Sequence, residues 1–379
     1  MEDRPRALIV GAGIGGLASA IALERAGFHS LVLERAPELR ELGFALLLAA
    51  NAMRALRMLG VAERIASQAE VGTEGELRTT EGRVLKRLSI DGIRRATGED
   101  AVCALRPVVH GALLDAAAAA EIRTGAKVQR FEQNAREVTV ELESGERIAG
   151  AVLVAADGLH SPIRATLHGD PLRASGLIAY RGVCSADWHV TGTQYLGRGV
   201  EAGVARAGGG SVYWYLSHNA GAAPPDPDPK RAALELVRDF DPALRDVVAR
   251  TDPSDVRRDA LFDRQPLAHW GQGRVTLLGD AAHPMLPHAG QGAAQALEDA
   301  VVLGRCLAAT PDVPEALRRY ERLRVPRTTQ VVQIAKRNAK VTSVEAAWLC
   351  ALRDWFVAHG PATMMEKQLV SFAKVNLEV

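Results

Sequence analysis

No stretch of the chain reaches the roughly 20 consecutive apolar residues that a membrane-spanning helix needs. Charge of one sign is also missing. Lys plus Arg number 46 against 45 Asp plus Glu, a formal net charge of +1, which is too weak a field to hold a polyanion and excludes nucleic acid as an expected partner. Cysteine is scarce: Cys103, Cys184, Cys306 and Cys350 stand far apart, with no CxxC pair and no histidine at metal-ligand spacing. That pattern predicts buried free thiols and no metal site, and it fits a reducing cytoplasm. The charged opening Glu2-Asp3-Arg4 followed by an apolar run that ends in glycines does not read as a signal peptide. Repeats and low-complexity tails are lacking too, and the Pro/Asp-rich run from Ala223 to Lys230 predicts one exposed loop.

What is present is the composition of a globular protein, with 47% hydrophobic and 24% charged residues among 379. At this length a single core splits, so two packed domains are expected. The first motif lies near the start. Leu8-Ile9-Val10 has strand character and runs into Gly11-Ala12-Gly13-Ile14-Gly15-Gly16, after which Leu17, Ala20, Ile21 and Leu23 follow helical spacing. In such a strand–turn–helix unit Gly11 permits the turn, Gly13 lets a pyrophosphate approach the backbone, and Gly16 allows close helix–strand packing. The helix N-terminus offers unpaired N–H groups and a positive dipole end to phosphates. A second strand, Ser30 to Leu33, ends in Glu34, whose carboxylate can accept ribose hydroxyls and disfavours a 2′-phosphate. These residues predict a dinucleotide site and leave NAD and FAD both open.

Two further segments bear on that choice. The apolar strand Ala151 to Ala156 runs into Asp157-Gly158-Leu159-His160-Ser161-Pro162. A second, Val275 to Leu278, runs into Gly279-Asp280-Ala281-Ala282-His283-Pro284, then Pro287-His288-Ala289-Gly290-Gln291-Gly292, and then a helix carrying Glu298-Asp299. In order and spacing the three segments resemble the dinucleotide fingerprint, DG motif and GD motif of the single-component FAD-dependent aromatic hydroxylases, whose fold is like that of para-hydroxybenzoate hydroxylase. The similarity runs over about residues 5 to 335 and includes Ala316-Leu317, Tyr320-Glu321 and Arg324-Val325-Pro326-Arg327, similar to the family's closing helix.

The resemblance implies non-covalent FAD bound through Gly11, Gly13, Ile14, Gly16, Glu34, Arg35, Arg106, Asp157, Asp280, Pro287, Gly290, Gln291, Gly292 and Ala293. Asp280, at a strand's carboxyl end, would hold ribityl hydroxyls. The N–H groups of Gly290-Gln291-Gly292 would face the pyrimidine edge of a reduced, anionic flavin. Arg106 would reach the phosphate and ribityl region. It implies NADH or NADPH as reductant and dioxygen as oxidant, with oxygen passed from a flavin C4a-hydroperoxide to an electron-rich ring by hydroxylation or epoxidation. One departure stands out: where the family often shows Gly-Ala-Gly-Ile and later Pro-Asn, this chain has Gly43-Phe44-Ala45-Leu46 and Ala50-Asn51.

The expected class is α/β, a Rossmann-like FAD-binding domain with an interleaved mixed or antiparallel β-sheet substrate domain and C-terminal helices. The expected boundaries are 1–72, 98–168 and 264–315 for the first, 73–97 and 169–263 for the second, and 316–379 for the helices. Residues 127–131 and 138–142, around Glu143-Ser144-Gly145-Glu146, predict a hairpin of the first domain. Ser211-Val212-Tyr213-Trp214-Tyr215-Leu216 reads as a strand with Tyr213 and Tyr215 on one face and Val212 and Trp214 on the other. Arg181, Tyr213, Tyr215, His218 and His288 are candidates for the substrate pocket, while His283 reads as structural; the sequence names no catalytic base. Val344, Trp348, Leu352 and Trp355 have helical spacing, fitting pocket closure, core packing or a dimer, so monomer and homodimer both stay open. Within the same fold the alternatives are a halogenase, a saturase or dehydrogenase, and a non-catalytic FAD-binding protein. The five isolated tryptophans do not form the Trp-x-Trp-x-Ile-Pro segment of a halogenase.

Overall fold

The structure, a computed structural model, describes residues 4–39, 44–220 and 227–378. The first βαβ unit is β1 (Arg6–Val10), α1 (Ile14–Arg25) and β2 (His29–Leu33). β3 (Ala45–Leu48) leads into α2 (Ala50–Met58) and α3 (Ala62–Ala66), and β4 (Glu70–Val71) into the hairpin β5 (Glu74–Thr79) and β6 (Val84–Ser89). α4 (Asp91–Thr97) returns the chain to β7 (Val102–Leu105), α5 (Arg106–Ala116) and β8 (Glu121–Arg123). Then come β9 (Val128–Gln133), β10 (Val138–Leu142), β11 (Arg147–Gly150), β12 (Val152–Ala155) and α6 (Pro162–His168). β13 (Arg173–Ser185), β14 (Gly192–Leu196), β15 (Val200–Arg206) and β16 (Ser211–Asn219) precede α7 (Pro229–Leu236), α8 (Pro242–Arg250) and β17 (Arg257–Asp263). β18 (Val275–Leu277) is followed by α9 (Gly292–Ala309), α10 (Val313–Thr342), α11 (Ala347–His359) and α12 (Ala362–Ala373).

The nucleotide-binding sheet has the order β18-β12-β1-β2-β8, all parallel. A parallel strand between two neighbours is covered on both faces, so it needs a continuous apolar run, and Ala7 to Val10 supply one that is fully buried. α1 and α9 lie close together because each places a glycine at their contact. A Cβ on Gly15 would come within 3.4 Å of Ala296 Cβ of α9, and one on Gly304 within 2.8 Å of Ala22 Cβ of α1. A second, seven-stranded sheet runs β17-β13-β16-β15-β14-β5-β6. Trp214 and Leu216 of β16 pack with Val237, Leu244 and Val248 of the α7–α8 segment into a separate core, while Tyr213, Tyr215 and Ser217 point to the opposite face. The α/β class expected from the sequence holds.

Three local expectations change. Glu143 to Glu146 is the turn between β10 and β11, whose pairing Leu142 N to Glu146 O closes at 2.9 Å, while β9 and β10 are joined at Asn134 to Glu137. The stretch therefore holds a third strand; β11 was hidden because Arg147 to Gly150 carries a single large apolar residue. The loop expected from Ala223 to Lys230 ends early: residues 221–226 lie outside the described residues, Asp228 caps α7 by accepting from Arg231 N, and Pro229 sits at its first position. In α11 the helical spacing of Trp348, Leu352 and Trp355 is real, but all three are exposed, so they do not form core. No helix among the described residues is long and apolar enough to cross a membrane, and no cluster of metal-ligating side chains occurs among them.

Candidate flavin site

The turn after β1 is built as its glycines require. Gly11 has φ +100°, and a Cβ there would lie 2.6 Å from the Ala156 carbonyl oxygen. A Cβ on Gly16 would overlap the Gly11 carbonyl oxygen, so only glycine lets α1 start this close to β1. Gly13, the residue before α1, faces open space within 4 Å and caps the helix with no side chain, which leaves its first N–H groups toward the cleft. The Ile14 side chain is buried in the core, so the backbone is what Ile14 offers a ligand. At the end of β2 the Glu34 carboxylate accepts the Ala12 N–H through Oε2 and the Ala36 N–H through Oε1, both at 2.8 Å. These bonds hold the acid against the glycine turn and leave it lone pairs for a sugar hydroxyl.

Further along the cleft stand two acids. Both carboxylate oxygens of Asp157 are buried without a hydrogen-bond partner among the described residues. Burial pushes its carboxyl up to about 6, with Ser161 and the charge of exposed Arg35 opposing. Asp280 lies in the 3-10 turn Gly279–Ala281 directly after β18. Its side chain is reached by solvent yet set among enough protein atoms that burial raises its carboxyl, against the charges of His283 and Arg106, as in the floor of a cleft. Arg106 opens α5, and a Cβ on Gly292 would lie 3.9 Å from Asp280 Oδ1, so these three positions converge. Arg164, wholly buried, fixes the turn by donating to the carbonyls of Ala281 (2.9 Å) and Ala282 (2.7 Å).

The 3-10 turn Pro287–Ala289 leads to Gly290 at φ +60° and then to Gln291 ahead of α9, whose first turn holds Gly292 and Ala293. Beside it stands Leu47 of β3, 49% exposed, whose Cβ would be 3.9 Å from a Cβ on Gly290. Leu47 and Gly290, exposed side by side, form one wall of a slot in which a flat ring can lie against them. Beneath the loop runs a buried polar network. Asn51 Nδ2 donates to Gln291 Oε1 at 2.9 Å and to Glu298 Oε1 at 2.6 Å, and Gln295 donates to Glu298 at 3.0 Å. Asp299 accepts from Gly279 N at 3.1 Å, from His283 Nε2 at 2.6 Å and from Arg324 Nε at 2.7 Å. Burial pushes Glu298 and Asp299 up, but the arginines, with His283 at Asp299, outweigh it and hold both below the ordinary range. His283 is thus structural.

The chain matches the FAD binding domain family over residues 4–335. It belongs to that family. It is 35% identical over 352 residues, 92% of each chain, to the aurachin C monooxygenase/isomerase of Stigmatella aurantiaca. It is 38% identical over 342 residues, 86% of each, to 3-hydroxybenzoate 6-hydroxylase 1 of Aquipseudomonas alcaligenes. Its fold matches the crystal structure of Klebsiella pneumoniae HpxO complexed with FAD and uric acid with a TM-score of 0.91 at 26% identity, covering 98% of this chain and 97% of the other. This family member is an FAD-dependent monooxygenase, and the open backbone at Gly13, the Asp157 oxygens without a partner among the described residues and the exposed wall of Leu47 and Gly290 fit the cofactor.

On the far side of the slot lies the inner face of the seven-stranded sheet. Tyr213 stacks with Phe44 at 6.4 Å between centroids, and Tyr215 lies 6.2 Å from Tyr213. Arg181, paired in register with Tyr215, is held by Asp259 at 3.2 Å. His288, in the turn ahead of Gly290, comes within 3.3 Å of Ser217 Oγ. His218 is the candidate the structure sets apart: it stacks on Tyr180 of the opposite sheet face and is turned from the slot. The sequence reading missed Gln194, Glu201 and Ser217 on this face, and Asn51, Gln295 and Arg324 as a network. The one signal for Glu201 was its two-residue spacing from Gly203 on a strand.

Proposed function

We propose that this flavoenzyme consumes NAD(P)H and dioxygen to hydroxylate a small aromatic substrate. One oxygen atom enters the product and the other leaves as water, with the nicotinamide supplying two electrons. The observation that carries this reading is the aromatic, arginine-bearing sheet face of Tyr213, Tyr215 and Arg181 set across from the turn that ends in Gly290. When bound, FAD takes the hydride and activates dioxygen. The chain's part is to hold the cofactor at Glu34, Arg106, Asp157 and Asp280, to orient the ring between the tyrosines and Leu47, and to keep water from the reacting centre. The names of relatives, which act on hydroxybenzoates and urate, support a hydroxylated or heteroaromatic ring as substrate. We place the cofactor domain at 1–72, 98–168 and 264–315, the substrate domain at 73–97 and 169–263, and the helical segment at 316–379.

The test is a screen of phenolic, bicyclic and heteroaromatic compounds for stimulated NAD(P)H oxidation, with products weighed by mass spectrometry. The reading expects at least one compound to raise the rate and to gain the mass of one oxygen. Stimulation with no oxygen in any product would point instead to a dehydrogenase of the same fold.

A further inference from the structure

Glu201 is a buried acid that the cofactor motifs do not account for. Its side chain is 4% exposed. Oε1 accepts from Tyr215 Oη at 2.9 Å and from Gln194 Nε2 at 2.8 Å. Tyr215 reaches it only because the residue across the strand pair is Gly203, where a Cβ would overlap the Tyr215 ring. Two donors on one oxygen fix the carboxylate and aim the other. Oε2 is buried with no hydrogen-bond partner among the described residues, 3.7 Å from His288 Nε2. A carboxylate oxygen left unpaired in the interior is costly, and a small swing toward the imidazole removes the cost.

The imidazole is just as unevenly served. Its Nε2 faces Ser217 Oγ and Glu201, while Nδ1 is buried with no partner among the described residues. The Glu201 carboxylate on the Nε2 side can only accept, which favours the tautomer protonated there, with Ser217 Oγ able to accept as well, and leaves a lone pair on Nδ1. Asn338 Nδ2 donates to the His288 carbonyl at 3.0 Å, so α10 holds the His288 backbone where the flavin loop meets the substrate sheet. The charged or titratable groups around it are Glu201 from β15, Tyr215 from β16, and Arg181 from β13 with its partner Asp259 from β17. Burial lowers the imidazole's proton affinity, Glu201 restores part of it and Arg181 lowers it further, so the ring is neutral at pH 7 as an acceptor must be.

We propose, building on the monooxygenase reading, that His288 Nδ1 accepts the hydroxyl proton of a phenolic or enolic substrate and that Glu201 is the positioning residue that orients the imidazole and balances its charge. The substrate O–H bond breaks, an N–H bond forms on Nδ1, and the electron pair stays on the substrate oxygen and spreads into the ring. The ring becomes more electron-rich at the carbon that takes oxygen, and the proton returns to the product oxygen or to solvent. The class of substrate is thereby narrowed to aromatics that already carry an ionisable hydroxyl.

Two measurements on the FAD-loaded enzyme test this, with FAD content recorded for each variant. In the first, histidine-labelled protein is titrated by NMR and the His288 signal assigned from H288N. Glu201→Gln should lower its midpoint by about one pH unit, roughly tenfold in proton affinity, and E201D should recover part of the shift. In the second, kcat/KM is measured for the best phenol of the screen, beginning with 3-hydroxybenzoate. H288N should lose about 10²- to 10⁴-fold on it and much less on a nitro-substituted analogue already ionised at the assay pH. An unmoved midpoint in E201Q overturns the pairing, and equal losses on both phenols overturn the proton transfer. If no phenol is oxygenated while another ring is, the monooxygenase reading stands and this narrowing fails.

Discussion

Asp299 accepts a 2.7 Å hydrogen bond from Arg324 Nε with both side chains out of solvent, which joins α9 to α10 beneath the flavin loop. Arg324 also pairs with Glu298 and donates to Gln295. Removing it leaves two buried carboxylates short of their cation. Arg324→Met should therefore cost about 3–5 kcal/mol of stability, read from the urea midpoint, although Arg327 still pairs with Glu298. A loss under about 1 kcal/mol would mean that the interior relaxes around the acids.

Gly13 and Gly16 should respond in opposite ways to the same change. A Cβ on Gly16 overlaps the Gly11 carbonyl, so Gly16→Ala should destabilise the apoprotein itself. Gly13→Ala meets nothing within 4 Å among the described residues and should leave apoprotein stability nearly unchanged, yet place a methyl where the pyrophosphate comes closest. Thermal unfolding of the apoproteins together with FAD titration separates the two. Full FAD affinity in a folded Gly13→Ala protein would put the pyrophosphate elsewhere.

Asp157 makes the apoprotein sensitive to pH. With its folded carboxyl pushed up to about 6, the folded chain binds more protons than the unfolded one between roughly pH 4 and pH 6. Stability from this group is thus intact below pH 4 and lost as pH rises through 6. Asp157→Asn should match the wild type near pH 4 and exceed it at pH 8 by up to about 3 kcal/mol. Urea unfolding at both pH values checks this, and a difference that does not change with pH would refute it.

Glu34 holds two backbone N–H groups as well as its expected ribose. Glu34→Ala should weaken FAD binding by about 1–3 kcal/mol, and E34Q by less because an amide oxygen still accepts. Flavin fluorescence titration gives both values. Unchanged affinity in a folded E34A protein would show the ribose to be held by other groups.

The cofactor side was legible because backbone geometry writes itself into sequence. Gly11 and Gly16 sit where no Cβ fits, and Glu34, Asp157 and Asp280 end apolar runs that become β2, β12 and β18. The substrate side left little trace. Glu201 meets Tyr215, Gln194 and His288 only after three strands and a distant turn come together, and an acid on a strand reads as solvated until its face is known. Asn51 was visible as the asparagine of the Pro-Asn pattern, with Ala50 in place of the proline, but its bonds to Gln291 and Glu298 depend on the packing of α2 against α9. Gly15 and Gly304 were likewise silent, since close helix packing has no local signature.

The parallel pairing of β14 with β5, Gly192 with Gly75 through Leu196 with Thr79, stitches a segment from early in the chain into a sheet made mostly from its middle. Cutting out residues 173–263 would leave the β5–β6 hairpin without its neighbour, and expressing them alone would bare the edge of β14. An uncovered strand edge recruits other chains. Neither half can be produced as a free-standing fragment without inviting aggregation, so shuffling substrate domains between relatives requires exchanging the hairpin and the later strands together.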